Sequence, residues 1–189
     1  MLQKGLAPFR RVGLFIFVAL LIFAKTAGGT TVERLSLSEI TSRAARIVEL
    51  RIREIATLRD AKNRILTRYR AEILTNLKGV ESKDIEWTSP GGTMGDETLI
   101  IPGIPNFSLH EEAILFLSEP SRSGIVVPIG LGQGAFRARF DTKRKKAIVK
   151  PDLAGLELLD PATGKRVETS AAEWEREIFI NEIRRMVAR

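Results

Sequence analysis

Two segments in the first half of the chain alternate strictly between apolar and polar residues, and this pattern constrains the fold more than any other feature. Residues 48–53 have the sequence VELRIR, and residues 67–74 have the sequence TRYRAEIL. A period of two is typical of strands that bury one face, so both segments are predicted to be β-strands. The charged residues 57–64 between them are predicted to form a hairpin loop, and Glu49, Arg51 and Arg53 are expected to face the solvent.

Further short apolar runs follow at spacings that are typical of all-β domains. Residues 89–107 contain four glycines and three prolines, which leave room for only one short strand there. Together the runs predict a mainly β fold, a small OB-like barrel or sandwich, over residues 47–151, with Trp87 and Phe116 buried. The predicted strands after the first two cover residues 85–87, 98–101, 113–117, 125–129, 135–140 and 146–150, with a polar turn at residues 141–146.

The first 29 residues are typical of an export signal. A basic flank that ends at Arg11 precedes the uncharged residues 12–23, and small residues follow Lys25. A membrane-spanning helix needs roughly 20 apolar residues, so the run has the length of a signal peptide, with cleavage expected after Ala27 or Gly29. An uncleaved anchor stays open as the alternative. In both cases the rest of the chain is expected to be exported, periplasmic or secreted, and to meet the membrane only through this segment.

Helices are predicted on both sides of the β domain. Residues 30–46 are expected to hold a linker and a short helix that Ser36 or Ser38 caps. Residues 170–189 are predicted to form an amphipathic C-terminal helix, because Ser170 and Glu173 match a capping box and apolar residues recur at helical spacing from Trp174. Residues 152–169 between barrel and helix are interpreted as a tether.

The charge balance argues against nucleic acid as a partner. The formal net charge is +7, but the first 27 residues hold four basic residues and no acid, and the remaining 26 basic and 23 acidic residues leave +3. So small a charge gives too weak a field for phosphate binding. The chain has no cysteine, which excludes disulfides and thiolate zinc sites. No cofactor or metal is expected.

No set of residues predicts a catalytic centre. The single histidine, His110, lies in a loop segment without a nucleophile and base at useful spacing. The glycines of residues 130–134 superficially match a dinucleotide loop, but a strand pattern follows them, so a glycine hairpin or bulge is predicted. A basic cluster of Arg137, Arg139 and residues 143–146 is interpreted as a solvated strand edge, because no aromatic residue is evident on its face.

An ordered set of short motifs resembles a group of uncharacterised exported bacterial proteins over residues 44–140. The set comprises a Lys-Gly turn at residues 78–79, PGG at 90–92, PG-x-P-x-F at 102–107, paired glutamates at 111–112 and a Gly-Gln-Gly hairpin at 132–134. His110 and Pro128 depart from that pattern. More distantly, the succession of a short helix, a strand that ends in Lys-Gly and a later apolar strand is similar to netrin-like, metalloproteinase-inhibitor OB barrels. This resemblance implies a fold and not an activity, because those inhibitors chelate metal through an N-terminal cysteine and this chain has no cysteine.

These observations favour an exported, non-enzymatic binding or accessory module with an exported protein as its partner. Loops held on a barrel are common binding devices, so the glycine- and proline-rich loop of residues 90–107 is the predicted contact surface. Two alternatives stay open: the loop only forms tight barrel corners, or the chain is a protease inhibitor or protease-associated accessory protein. The candidate binding residues are Pro90, Gly91, Gly92, Gly95, Pro102, Gly103, Pro105 and Phe107.

Overall fold

The computed structural model describes residues 29–168 and 171–189, so the predicted export signal lies outside the described residues except for Gly29. The described chain is mainly β, as predicted, with one antiparallel seven-stranded sheet and two small sheets. None of its helices has the length and hydropathy to cross a membrane. The elements are β1 (Thr30–Glu33), α1 (Leu37–Arg43), β2 (Arg46–Arg59), β3 (Ile65–Lys78), β4 (Asp84–Pro90), β5 (Gly92–Met94), β6 (Glu97–Leu99), β7 (Glu112–Leu117), β8 (Ala135–Asp141), β9 (Lys146–Pro151), β10 (Leu156–Leu159), β11 (Trp174–Glu175) and α2 (Arg176–Val187).

The large sheet has the strand order β11-β9-β8-β7-β2-β3-β4. Its longest pair is the predicted hairpin of β2 and β3, but the strands extend into the predicted loop, which shrinks to residues 60–64. The reason is the side chain of Asp60, whose Oδ1 accepts hydrogen bonds from the N–H groups of Lys62 and Arg64, both at 2.9 Å. A carboxylate that accepts hydrogen bonds from the N–H groups of a turn stabilises it, so a short loop can connect the two strands.

Apolar side chains cover both faces of the sheet. One face carries a cluster that includes Leu50, Tyr69, Trp87 and Leu115. The other face packs against both helices through a second cluster that includes Phe116 and Phe179. Trp87 and Phe116 are buried, as predicted. Because β7 contributes to both clusters, it is a continuous apolar run rather than an alternating one.

The second face overturns the prediction for Glu49, which was expected to face the solvent. Its side chain is fully buried, because α2 covers this part of β2. The guanidinium of Arg176, the first residue of α2, donates two hydrogen bonds to its carboxylate, and Thr75 Oγ1 donates a third at 2.8 Å. The hydrogen bond to Glu49 raises the pKa of Arg176. This ion pair attaches the C-terminal helix to the sheet.

The structure confirms the short helix before the sheet and corrects the start of the C-terminal helix. Of the two proposed caps for α1, Ser36 is the one used: its hydroxyl accepts from the N–H of Glu39 while the Glu39 carboxylate accepts from the N–H of Ser36. The predicted start of the C-terminal helix at residue 170 is wrong for the described part, since Trp174 pairs with Val149 in β11 and α2 begins only at Arg176. Pairing with the open edge of β9 satisfies backbone groups there that a longer helix would leave unbonded.

Residues 125–129, predicted as a strand, make only isolated bridges. Thr88 of β4 pairs with Ile125, and Leu117 of β7 pairs with Pro128. At one end of the sheet this segment therefore connects β4 to β7, which are separated in the strand order by β2 and β3. Pro128 has no N–H group, which prevents a regular ladder. The predicted strand at residues 98–101 is also shorter, because the N–H of Ile104 donates to Ile101 in a turn and β6 stops at Leu99.

The tether and the glycine hairpin also take other forms than predicted. Within the tether, β10 pairs in parallel with β1, which lies in the predicted linker. Residues 131–134 form a short 3-10 helix instead of a hairpin or bulge. The buried side chain of Gln133 explains this turn: its amide accepts from the N–H of Leu35 and donates to the carbonyl of Glu33, both at 2.9 Å. Gln133 thus connects β1 to the sheet.

Candidate functional site

The glycine- and proline-rich loop, residues 90–107, starts where β4 ends. Gly91 has a φ of 96°, and its N–H donates to the carbonyl of Ile65 on β3 at 2.9 Å. Gly92 has a φ of 131°, and a Cβ there would lie 2.3 Å from the hydroxyl of Thr67. Since Thr67 Oγ1 also donates to the carbonyl of Gly91 at 2.7 Å, the loop is attached to the start of β3. Only glycine fits both positions without strain.

The first half of the loop is the hairpin of β5 and β6, whereas the sequence predicted only one short strand in this segment, at residues 98–101. Thr93 and Thr98 share a hydrogen bond of 3.0 Å across it, and Arg59 at the end of β2 donates to Glu97 at 2.5 Å. Gly95 lies in the exposed turn, where no atom comes within 4 Å of an added Cβ. The hairpin therefore projects from the sheet and is held at its base.

The second half of the loop is attached at Pro102 and Gly103. The Thr30 hydroxyl donates to the carbonyl of Pro102 at 2.7 Å, and the N–H of Gly132 donates to the carbonyl of Gly103 at 2.9 Å. A Cβ on Gly103, which has a φ of 84°, would lie 2.2 Å from the Leu156 side chain. The small β1–β10 sheet and the 3-10 turn thus fix this part of the loop.

Phe107 closes the loop on the core. Its ring packs edge-on against Tyr69, with ring centroids 5.5 Å apart, and Tyr69 stacks on Trp87 at 5.0 Å. Burial raises the pKa of the Tyr69 phenol, so the ring stays neutral. The guanidinium of Arg137 lies 5.2 Å from the centre of the Phe107 ring. Such aromatic packing gives a rigid end to the loop.

Arg137 differs from the solvated edge that was predicted for the basic cluster. β8 lies between β7 and β9, and Arg137 donates to Asp152 at 2.7 Å, to Glu111, and to the carbonyl of Asn106 at 2.7 Å. Burial disfavours its charge, but the hydrogen bonds to both carboxylates outweigh burial and raise the pKa of Arg137. The prediction failed because the aromatic partner, Phe107, comes from a distant loop. Arg137 positions that loop.

The predicted site residues therefore divide into three groups. Gly91, Gly103, Pro105 and Phe107 are buried and hold the loop in shape, Pro90 and Gly92 are half-buried, and Gly95 and Pro102 are exposed. The large exposed side chains are ones that the prediction did not include. Leu99 is 37% exposed, Ile100 71% and Leu109 54%. Their apolar character in a loop without an alternating pattern was the available signal.

An open cleft of about 500 Å³ adjoins the loop, lined by Ile100, Pro102, Ile104 and Arg137 among others. The paired charges of Arg137 and Asp152 form part of its wall, and apolar side chains form much of the rest. Such a surface suits a protein segment better than a small charged ligand, because its charged groups already have partners.

His110 lies beside this loop, three residues after Phe107 closes it and directly before the paired glutamates. It occupies a turn with a φ of 66°, its side chain is exposed, and its backbone N–H donates to the carbonyl of Ile52 at 2.9 Å. Among residues 29–168 and 171–189, no three metal-ligating side chains come together.

No protein-family model matches this sequence, and neither the curated proteins nor the solved structures yield a match. Fold and site together define a mainly β protein whose sheet is covered by two helices and carries an anchored loop with exposed apolar side chains.

Proposed function

We propose that this chain is an exported, non-enzymatic binding module that contacts a partner protein through the glycine- and proline-rich loop. The observation that carries the proposal is the exposure of Leu99 and Ile100 on a loop held at both ends. Because the loop is already fixed, binding through its large apolar side chains does not cost the conformational entropy of ordering the loop. They also supply the buried centre that protein interfaces need.

The export part of the proposal rests on the basic and apolar pattern of the first 29 residues. Residues 1–35, fused to a reporter that is active only outside the cytoplasm, are expected to give signal. The control is the same fusion with Leu20→Lys, since a charge there interrupts the hydrophobic segment. An inactive wild-type fusion would refute export.

Contact through the loop is tested by photo-cross-linking in the producing cells. A photoreactive amino acid replaces Ile100 in one variant and Ala162, an exposed residue of the distant 160–165 turn, in the control. The proposal predicts a discrete protein adduct from position 100 and none from position 162. Equal labelling at both positions would refute a specific contact. Identification of the adduct as a protease would favour the protease-associated alternative.

A further inference from the structure

A second candidate surface lies at β4, one end of the large sheet. In an antiparallel ladder, successive residues direct their backbone hydrogen bonds to opposite sides. The N–H of Gly91 donates to Ile65 on the β3 side, whereas the carbonyl of Thr88 accepts from Val126 on the other side. Glu86 lies two residues before Thr88, so its backbone groups point to the same side of β4 as those of Thr88. Its backbone N–H and carbonyl therefore point to the outer edge of β4, where no strand pairs within the described residues.

An open groove of about 260 Å³, here called the seam, runs beside this edge. Its floor is formed by core side chains, among them Ile85, Trp87 and Leu117. The seam exists because residues 125–128 join β4 to β7 at one end only. It is smaller than the roughly 300–1,000 Å³ of small-molecule pockets, and its place beside a strand edge suits the side chains of an added strand.

The surroundings of the seam are acidic. Glu119 on its wall, Glu81 on the adjoining turn and Asp84 at the start of β4 are exposed and make no ion pair with any described residue. Of the nearby cations, Arg70 pairs with Glu86 on the seam wall at 3.0 Å, Lys83 is exposed, and Arg46 donates its hydrogen bonds to the β3–β4 turn. Charge complementarity therefore favours a segment with basic side chains.

The same charges disfavour a second copy of this chain. Antiparallel pairing of two β4 strands about a two-fold axis at Glu86 would place Glu86 opposite Glu86, and like charges in directly opposed positions destabilise a ladder. Acidic residues on an edge strand protect against such pairing. A foreign strand with basic residues meets no such repulsion.

We propose that the seam binds an extended peptide segment of alternating basic and apolar residues, which adds to β4 as a further strand. The peptide backbone bonds to Glu86, its apolar side chains enter the seam over Trp87, and its basic side chains face the acidic rim. The site is separate from the glycine- and proline-rich loop, because it lies at the β3–β4 turn and the loop is attached at the start of β3.

The test uses the full chain with Trp174→Phe, which leaves Trp87 as the single tryptophan and as a reporter in the seam. Four fluorescent peptides are titrated by anisotropy: alternating Lys and Val, alternating Glu and Val, the Lys/Val composition in two blocks, and the alternating Lys/Val peptide with N-methylated backbone amides. The alternating Lys/Val peptide is expected to bind about tenfold tighter than each of the others and to shift the Trp87 emission.

Two matched variants separate charge from backbone pairing. Glu86→Gln removes the charge and keeps the N–H, so it should weaken binding a few-fold, whereas Glu86→Pro removes the N–H as well and should abolish binding. If Glu86→Pro does not fold, the N-methylated peptide on the Trp174→Phe protein decides the same question. The proposal is overturned if the Lys and Glu peptides bind alike, if N-methylation has no effect, or if no peptide changes the Trp87 emission.

Discussion

The buried ion pair between Glu49 and Arg176 determines how firmly α2 is held on the sheet. Glu49 has 0% of its side chain exposed, and Arg176 Nη2 lies 2.6 Å from its Oε2. Replacing Arg176 with Met keeps most of the aliphatic length and leaves the carboxylate buried without a counter-charge. Removing one partner of a buried pair costs about 3–5 kcal/mol, and the lower end applies because Arg176 keeps 31% of its side chain exposed.

The free energy of unfolding, measured by urea titration, checks this prediction. Arg176→Met should lose about 3 kcal/mol, which corresponds to a fall in Tm of about 6–12 °C for a chain of this size. The matched control is Arg139→Met, whose pair with Glu173 is on the surface and should be worth at most about 1 kcal/mol. The double variant Glu49→Gln, Arg176→Met should regain part of the loss. Equal effects of Arg176→Met and Arg139→Met would refute the reasoning.

Three further predictions concern the core, the loop and acid stability. Phe116→Ala should cost about 3–5 kcal/mol as a cavity in a fully buried site, and a wild-type melting temperature would contradict this. Gly92→Ala should reduce the yield of the loop cross-link at constant secondary structure by circular dichroism, whereas His110→Ala should leave both unchanged. The backbone hydrogen bond from Arg64 lowers the pKa of Asp60 below its unfolded value, so the stability that Asp60 contributes at neutral pH is lost as the pH falls below about 4. Asp60→Ala should therefore flatten the acid limb of the curve of unfolding free energy against pH. An unchanged slope would contradict the assignment.

Local patterns predicted much of this fold. The alternation of residues 48–53 and 67–74 located the long hairpin, and the apolar run of β7 correctly placed Phe116 in the core. The failures come from contacts between segments that are distant in sequence. The alternation placed Glu49 on a solvent face, but α2, more than a hundred residues later, covers it. The pairing of Trp174 with Val149 likewise depends on an edge that local propensity does not reveal.

The geometry of the candidate site also depends on contacts between segments that are distant in sequence. The glycines and prolines of residues 90–107 predicted a loop with room for one short strand, but its first half is the hairpin of β5 and β6 and only its second half is irregular. Which of its residues face the solvent depends on Thr67 and Leu156, which leave no space for a side chain at Gly92 and Gly103. The proposed contact surface therefore shifts from the glycines to Leu99 and Ile100, whose apolar side chains by themselves are typical of a core strand.

The most direct measurement of loop-mediated binding is hydroxyl-radical footprinting in producing cells and of the purified chain, read by mass spectrometry at Leu99, Ile100 and Leu109. These side chains are exposed in the isolated protein, so a partner that covers the loop should lower their labelling in cells. Phe140, which is 64% exposed on β8, provides the internal reference. The account predicts protection at Leu99 and Ile100 relative to Phe140; equal labelling of these residues in cells and in the purified protein would contradict it.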